Sequence, residues 1–185
     1  MKKISSLLVA AALVAGAAGS AGAQQGFALK GHYLFNETRV NEARESERVP
    51  DADGWDLGAE YVLPMGLGLG VTAYTTGDVS SRDYKTHSFG VLAEANYFLD
   101  LPIIPITPYA GVHAGLGRYS IDDLGDAEPR IKDNRNELGF QVGARWQLNS
   151  LLGVDAQYRR VSQSALEGQD SRLDRNQVLV GITLF

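Results

Sequence analysis

From position 26 to the carboxy-terminus, apolar residues recur at every second position in run after run, with glycine and charge between them. That period belongs to strands with two unlike faces, not to helices. In the run 26–36, Phe27, Leu29, Tyr33 and Phe35 share one parity while Lys30, His32 and Asn36 share the other. The run from Gly54 sets Trp55, Leu57, Ala59, Tyr61 and Leu63 against Asp56, Gly58 and Glu60. From Leu67, the residues Leu67, Leu69, Val71 and Ala73 alternate with Gly68, Gly70, Thr72 and Tyr74. The next run opposes Phe89, Val91, Ala93, Ala95 and Tyr97 to Ser88, Gly90, Glu94 and Asn96, with Leu92 and Phe98 breaking the polar parity.

The pattern continues through four more runs. Ala110, Val112, Ala114 and Leu116 oppose Gly111, His113, Gly115 and Gly117; then Leu138, Phe140, Val142, Ala144 and Trp146 oppose Glu137, Gly139, Gln141, Gly143, Arg145 and Gln147. Val154, Ala156 and Tyr158 alternate with Asp155, Gln157 and Arg159, and the run 176–185 finishes on Leu184 and Phe185. The segment 100–108 carries three prolines, which cannot donate to a ladder, and reads as a connection.

Eight strands result, and the connections between them alternate long and polar with short. The long ones span 37–53, 76–86, 120–135 and 162–175. An antiparallel meander with long loops gathered at one end and short turns at the other is the pattern of a transmembrane barrel; a soluble sandwich has no reason to sort loop length by end. Runs of about ten residues cross a hydrocarbon layer when tilted. Pairing of the last strand with the first closes the sheet and removes the exposed apolar edge that the terminal run would otherwise present.

Aromatic residues on the apolar parity collect near strand ends, with Phe27, Tyr61, Tyr97, Trp146 and Phe185 at the short-turn end and Phe35, Trp55 and Phe89 at the long-loop end. These are expected to form two interfacial girdles. The stronger apolar parity of the terminal strand, however, runs through Val178, Val180, Ile182 and Leu184, so two facings of Phe185 stay open.

The amino-terminus reads as an export signal. Lys2 and Lys3 are followed by an apolar stretch over 7–15, and Ala21, Gly22 and Ala23 offer a cleavage site before Gln24. Residues 1–23 are therefore expected to be a signal peptide and 24–185 the barrel domain. Cysteine is absent, which rules out disulfides, thiolate metal sites and a lipid-bearing thiol. A formal charge of −5 argues against nucleic acid as a partner.

At this point the chain resembles the small eight-stranded outer-membrane barrel proteins of Gram-negative bacteria, the group that includes OmpX and the membrane domain of OmpA. The resemblance rests on the leader, the segment PYAGVHAGLG from Pro108, the strand count, the loop alternation and the terminal Phe185. It implies an outer-membrane location, a monomer in contact with outer-membrane lipids, and a role for Phe185 as a signal read by the barrel assembly machinery. It also departs from the family pattern, in which the terminus alternates aromatic and polar residues, whereas Leu184 and Phe185 are both apolar.

The inward parity carries Lys30, His32, Asp56, Glu60, Glu94, His113, Glu137, Arg145, Asp155 and Arg159. Mixed charges in a narrow lumen pair with one another, because an isolated buried charge is very costly. The favoured expectation is a lumen plugged by ion pairs, in a protein with a structural or surface-interaction role. A narrow ion or small-solute channel is the alternative. A lipid-modifying enzyme is the third reading. It finds little support, because His32 and His113 lack a serine at motif spacing and His87 with Ser88 lacks an assigned acid. No catalytic, cofactor or metal site is expected. The charged long loops, with Arg39, Arg44, Arg48, Arg130 and Arg135 among acids such as Glu45 and Asp122, are solvated surfaces in the simplest reading. They could also meet lipopolysaccharide phosphates or a surface ligand.

Overall fold

The computed structural model describes residues 25–42, 45–49, 53–77, 79–80, 84–101, 105–123, 131–163 and 172–185. Residues 1–23, expected to be a signal peptide, lie outside the described residues. Ten strands are present among the described residues: β1 (Gly26–Glu42), β2 (Glu45–Val49), β3 (Gly54–Val62), β4 (Leu67–Thr76), β5 (Val79–Ser80), β6 (Tyr84–Phe98), β7 (Ile106–Asp123), β8 (Ile131–Gln147), β9 (Leu152–Gln163) and β10 (Arg172–Leu184). Eight of them, β1, β3, β4, β6, β7, β8, β9 and β10, are the staves of an antiparallel meander. β10 pairs with β1, from Leu29 opposite Leu184 to Asn41 opposite Arg172, and this pairing closes the barrel.

The remaining two strands correct the sequence reading of the long connections as loops. β2 folds back on the far end of β1, and β5 pairs with the start of β6. β1 continues to Glu42, β6 starts at Tyr84, β7 continues to Asp123, β8 starts at Ile131 and β10 at Arg172, so the ladders run on into all four segments that composition alone marks as loop. Charge does not oppose strand structure once both neighbours continue the ladder, because each added residue then pairs its backbone N–H and C=O. The segment 100–108 is corrected in the same sense, since β7 begins at Ile106 and includes Pro108. A proline near the start of a strand is tolerated where its nitrogen needs no partner. Its carbonyl still accepts from Leu99 N at 2.8 Å, just past the end of β6.

The short turns are fixed by local chemistry. Gly66 adopts φ +80° and donates its N–H to Leu63 O at 2.9 Å, a left-handed position that a side chain would strain. Between β8 and β9, the side-chain oxygen of Asn149 accepts from the N–H groups of Leu151 and Leu152 at 2.8 and 2.9 Å, so the asparagine itself caps the turn.

The two parities sort as their chemistry requires. Leu57, Leu69, Val71, Val91, Val112, Leu116, Leu138, Val178, Val180 and Ile182 are exposed and make a continuous apolar outer belt. The opposite parity fills the interior. Glycines there make room for large rings: a Cβ at Gly143 would lie 2.5 Å from Tyr109 Cζ, and one at Gly90 would lie 2.4 Å from Tyr74 Cε1. Gly143→Val should therefore displace Tyr109 and lower stability by about 1–3 kcal/mol, the usual cost of overpacking. The midpoint of urea unfolding of the detergent-folded protein measures it; the outward-facing Ala144→Val should leave that midpoint in place.

Candidate functional site

The only concentration of buried charge among the described residues is the lumen. Each strand delivers its charged residues there by alternation, so the period-two pattern that makes the outside apolar also makes the inside ionic. All ten residues singled out from the sequence, Lys30, His32, Asp56, Glu60, Glu94, His113, Glu137, Arg145, Asp155 and Arg159, are buried inside the barrel.

Eight of the ten form one network in the middle of the lumen. Arg159 on β9 reaches across the barrel, donating from Nη1 to Asp56 Oδ2 at 2.8 Å and from Nη2 to Glu94 Oε1 at 2.9 Å. Lys30 on β1 donates to Glu94 Oε2 at 2.7 Å and stands 3.7 Å from Glu60 Oε2. Arg145 on β8 donates to Glu60 Oε1 through both terminal nitrogens at 3.1 Å and through Nε to Asp155 Oδ2 at 3.0 Å. His32 lies between two carboxylates, with Nδ1 2.9 Å from Asp56 Oδ1 and Nε2 3.6 Å from Asp155 Oδ1. Neutral partners complete the net. Asn96 donates to Glu60 at 2.9 Å, Gln141 to Asn96 at 2.6 Å, Gln157 to Gln141 at 2.8 Å, and the Tyr109 hydroxyl to Asp155 at 2.7 Å.

Toward the long-loop end, the next inward residue on several strands is apolar. Leu34 follows His32 on β1, Leu92 lies beyond Glu94 on β6, and Leu179 occupies the matching level of β10; with Tyr74 they pack into one buried cluster. The parity break at Leu92 is thus one part of an apolar stratum across the lumen. Above it lies a second ionic group. Glu137 Oε1 accepts from the Tyr74 hydroxyl at 2.6 Å, from Gln163 Nε2 at 2.5 Å and from the Arg175 guanidinium. Arg175, within a segment whose composition reads as a loop, is buried and inward-facing. Extending the alternation of Gln177 by one step would have placed it.

Glu137 thus belongs to this second group, and His113 is the member of the ten that neither group takes up. It is buried, and neither ring nitrogen has a hydrogen-bond partner. At the short-turn end, the Arg145 guanidinium carbon stands 4.8 Å from the Phe98 ring centroid, 5.9 Å from Tyr109 and 5.8 Å from Phe185. The Phe185 ring therefore turns into the barrel mouth, while Leu184 is 46% exposed on the outer face. This settles its facing and removes Phe185 from the outer girdle. The terminal strand keeps strict alternation, and Arg145 offers the ring a cationic partner. The rings of Phe27, Phe35, Trp55, Tyr61, Phe89, Tyr97 and Trp146 are all exposed on the outside.

Among the buried inward residues described, Asp56, Glu60, Glu94, Glu137 and Asp155 are acidic and Lys30, Arg145, Arg159 and Arg175 are basic. Such pairs are costly to break one-sidedly, since the remaining charge stays buried. Arg159→Ala should lower stability by about 3–5 kcal/mol by taking one buried partner from each of Asp56 and Glu94. Arg159→Met combined with Asp56→Asn and Glu94→Gln should recover part of that loss, again read from urea unfolding midpoints.

No group of acidic or histidine side chains capable of holding a metal ion occurs among the described residues. A comparison with curated proteins returned no match. Among solved structures, the fold is similar to Neisserial surface protein A, with a TM-score of 0.68 at 17% identity over 86% of this chain and 97% of that one. Ail, the attachment invasion locus protein of Yersinia pestis, gives 0.56 at 16% identity over 86% and 99%, and OprG of Pseudomonas aeruginosa gives 0.56 at 13% over 90% and 98%. The family model of the outer membrane protein beta-barrel domain matches residues 6–184, so the chain belongs to that family and is a barrel protein of the bacterial outer membrane.

Proposed function

We propose that the protein is a plugged barrel that serves the outer membrane as a structural or surface-interaction element, acting through its rims and long-loop end rather than by passage through its lumen. One observation carries this reading: Arg159, Leu34, Leu92 and Leu179, which lie at the heart of the lumen, have no exposed surface at all. A permeating ion would have to separate the Arg159 pairs and then cross an apolar stratum that offers no replacement for its hydration shell. The two barriers lie in series.

The long-loop end is where the barrel has material to spend on recognition. Its strands extend past the apolar belt, and β2 and β5 add short hairpin pairings there. Arginines of these segments suit contact with lipopolysaccharide phosphates, and outer-membrane lipids surround the belt. The same region could present a surface ligand-binding face. The protein works as a monomer in this reading, since closure leaves no sheet edge for a partner.

Reconstitution of the pure protein into planar bilayers tests the proposal. Silent membranes at ordinary holding potentials are expected; steady unitary currents would overturn the plugged-barrel reading and favour the narrow channel.

A further inference from the structure

On the outer face, where β1, β3, β4 and β6 reach the long-loop end, Tyr33, Asp53, Trp55, Thr75, Thr76 and His87 help line a cleft of about 390 Å³. Tyr33, Trp55, Thr75 and His87 belong to the outward parity. The Tyr33 and Trp55 rings stand edge-to-face at 85° with centroids 5.0 Å apart, so they form a right-angled aromatic corner. Trp55 remains 57% exposed. The Tyr33 hydroxyl donates to Asp53 Oδ2 at 3.1 Å and so fixes the carboxylate beside that corner.

The described residues of the cleft offer a carboxylate, hydroxyl oxygens, two aromatic rings and the His87 imidazole, and no lysine or arginine is among them. A carboxylate keeps acceptor capacity after one hydrogen bond. Ring faces attract cations electrostatically, and indole does so best. A phosphate or carboxylate ligand would meet repulsion from Asp53, and a purely apolar one would leave its charge uncompensated. We propose that this cleft binds an organic ammonium group, held between the Asp53 carboxylate and the Trp55 and Tyr33 rings. Its place at the membrane rim gives access to an ammonium carried by a lipid headgroup and to one arriving from solution.

The chain has two tryptophans, so Trp146→Phe leaves Trp55 as its sole indole reporter. In maltoside micelles, which carry no amine, titration with tetramethylammonium chloride should change Trp55 fluorescence saturably, against no saturable change with sodium chloride. Asp53→Asn should weaken the apparent affinity by about fivefold or more, from loss of the charge partner beside the rings. Thr75→Lys should abolish the response by filling the cleft with an internal cation while leaving Asp53 in place. Heat-modifiable migration on gels checks that each variant is folded. An identical response to sodium, or one that both variants leave intact, would overturn the proposal. Repetition in nanodiscs separates the sources. A response present in phosphatidylglycerol but suppressed in phosphatidylcholine assigns the site to a lipid headgroup, and an equal response in both assigns it to a soluble amine.

Discussion

Inside a hydrocarbon layer no water is at hand for a peptide group, so every N–H and C=O that crosses it must be paired within the protein. The pairing of β10 with β1 is the step that meets this condition for the whole sheet. Without it two staves would each leave a row of unpaired groups facing lipid. The alternation of apolar and polar residues acquires its meaning from that closure. One parity then faces lipid all the way round, and the other is confined to a tube of fixed width.

Eight staves make a narrow tube, and a narrow tube must be filled by its own side chains. Two devices do this here. Glycines such as Gly90 and Gly143 leave space into which Tyr74 and Tyr109 lay their rings. Charged side chains long enough to cross the axis then fill the rest and neutralise each other. The tyrosines serve both devices, since their rings pack on glycine while their hydroxyls donate to Glu137 and Asp155. Packing and polar satisfaction are thus achieved by the same residues.

The facing of nearly every strand residue could be read from the sequence, because a period of two leaves only one choice per strand once lipid is assigned to the apolar side. The same rule would have placed Arg175, had the alternation been followed past the apolar belt into charged sequence. Pairing partners were not legible. Nothing in the spacing of Arg159, Asp56 and Glu94 says that they meet, since they lie on β9, β3 and β6 and touch only across the axis. Leu92 is the instructive case. By itself it looks like an error in the pattern, and only the positions of Leu34 and Leu179 turn it into a layer.

The reach of these side chains bears on how the barrel specifies its own register. Buried ion pairs are a poor source of stability compared with apolar packing of the same volume. Their geometry has a different consequence. Backbone ladders join only adjacent staves, whereas Lys30 joins β1 to β6, Arg145 joins β8 to β3, and Arg159 joins β9 to both β3 and β6. A slip of one residue between two staves would turn these charges into lipid, and a slip of two would keep them inside but carry each away from its partner. Either error leaves an uncompensated charge in a low-dielectric interior, where it is most costly. The outer apolar belt tolerates a two-residue slip with little change, so it cannot distinguish the correct register from that error. The lumen network can, and it does so between staves that no hydrogen-bonded ladder connects.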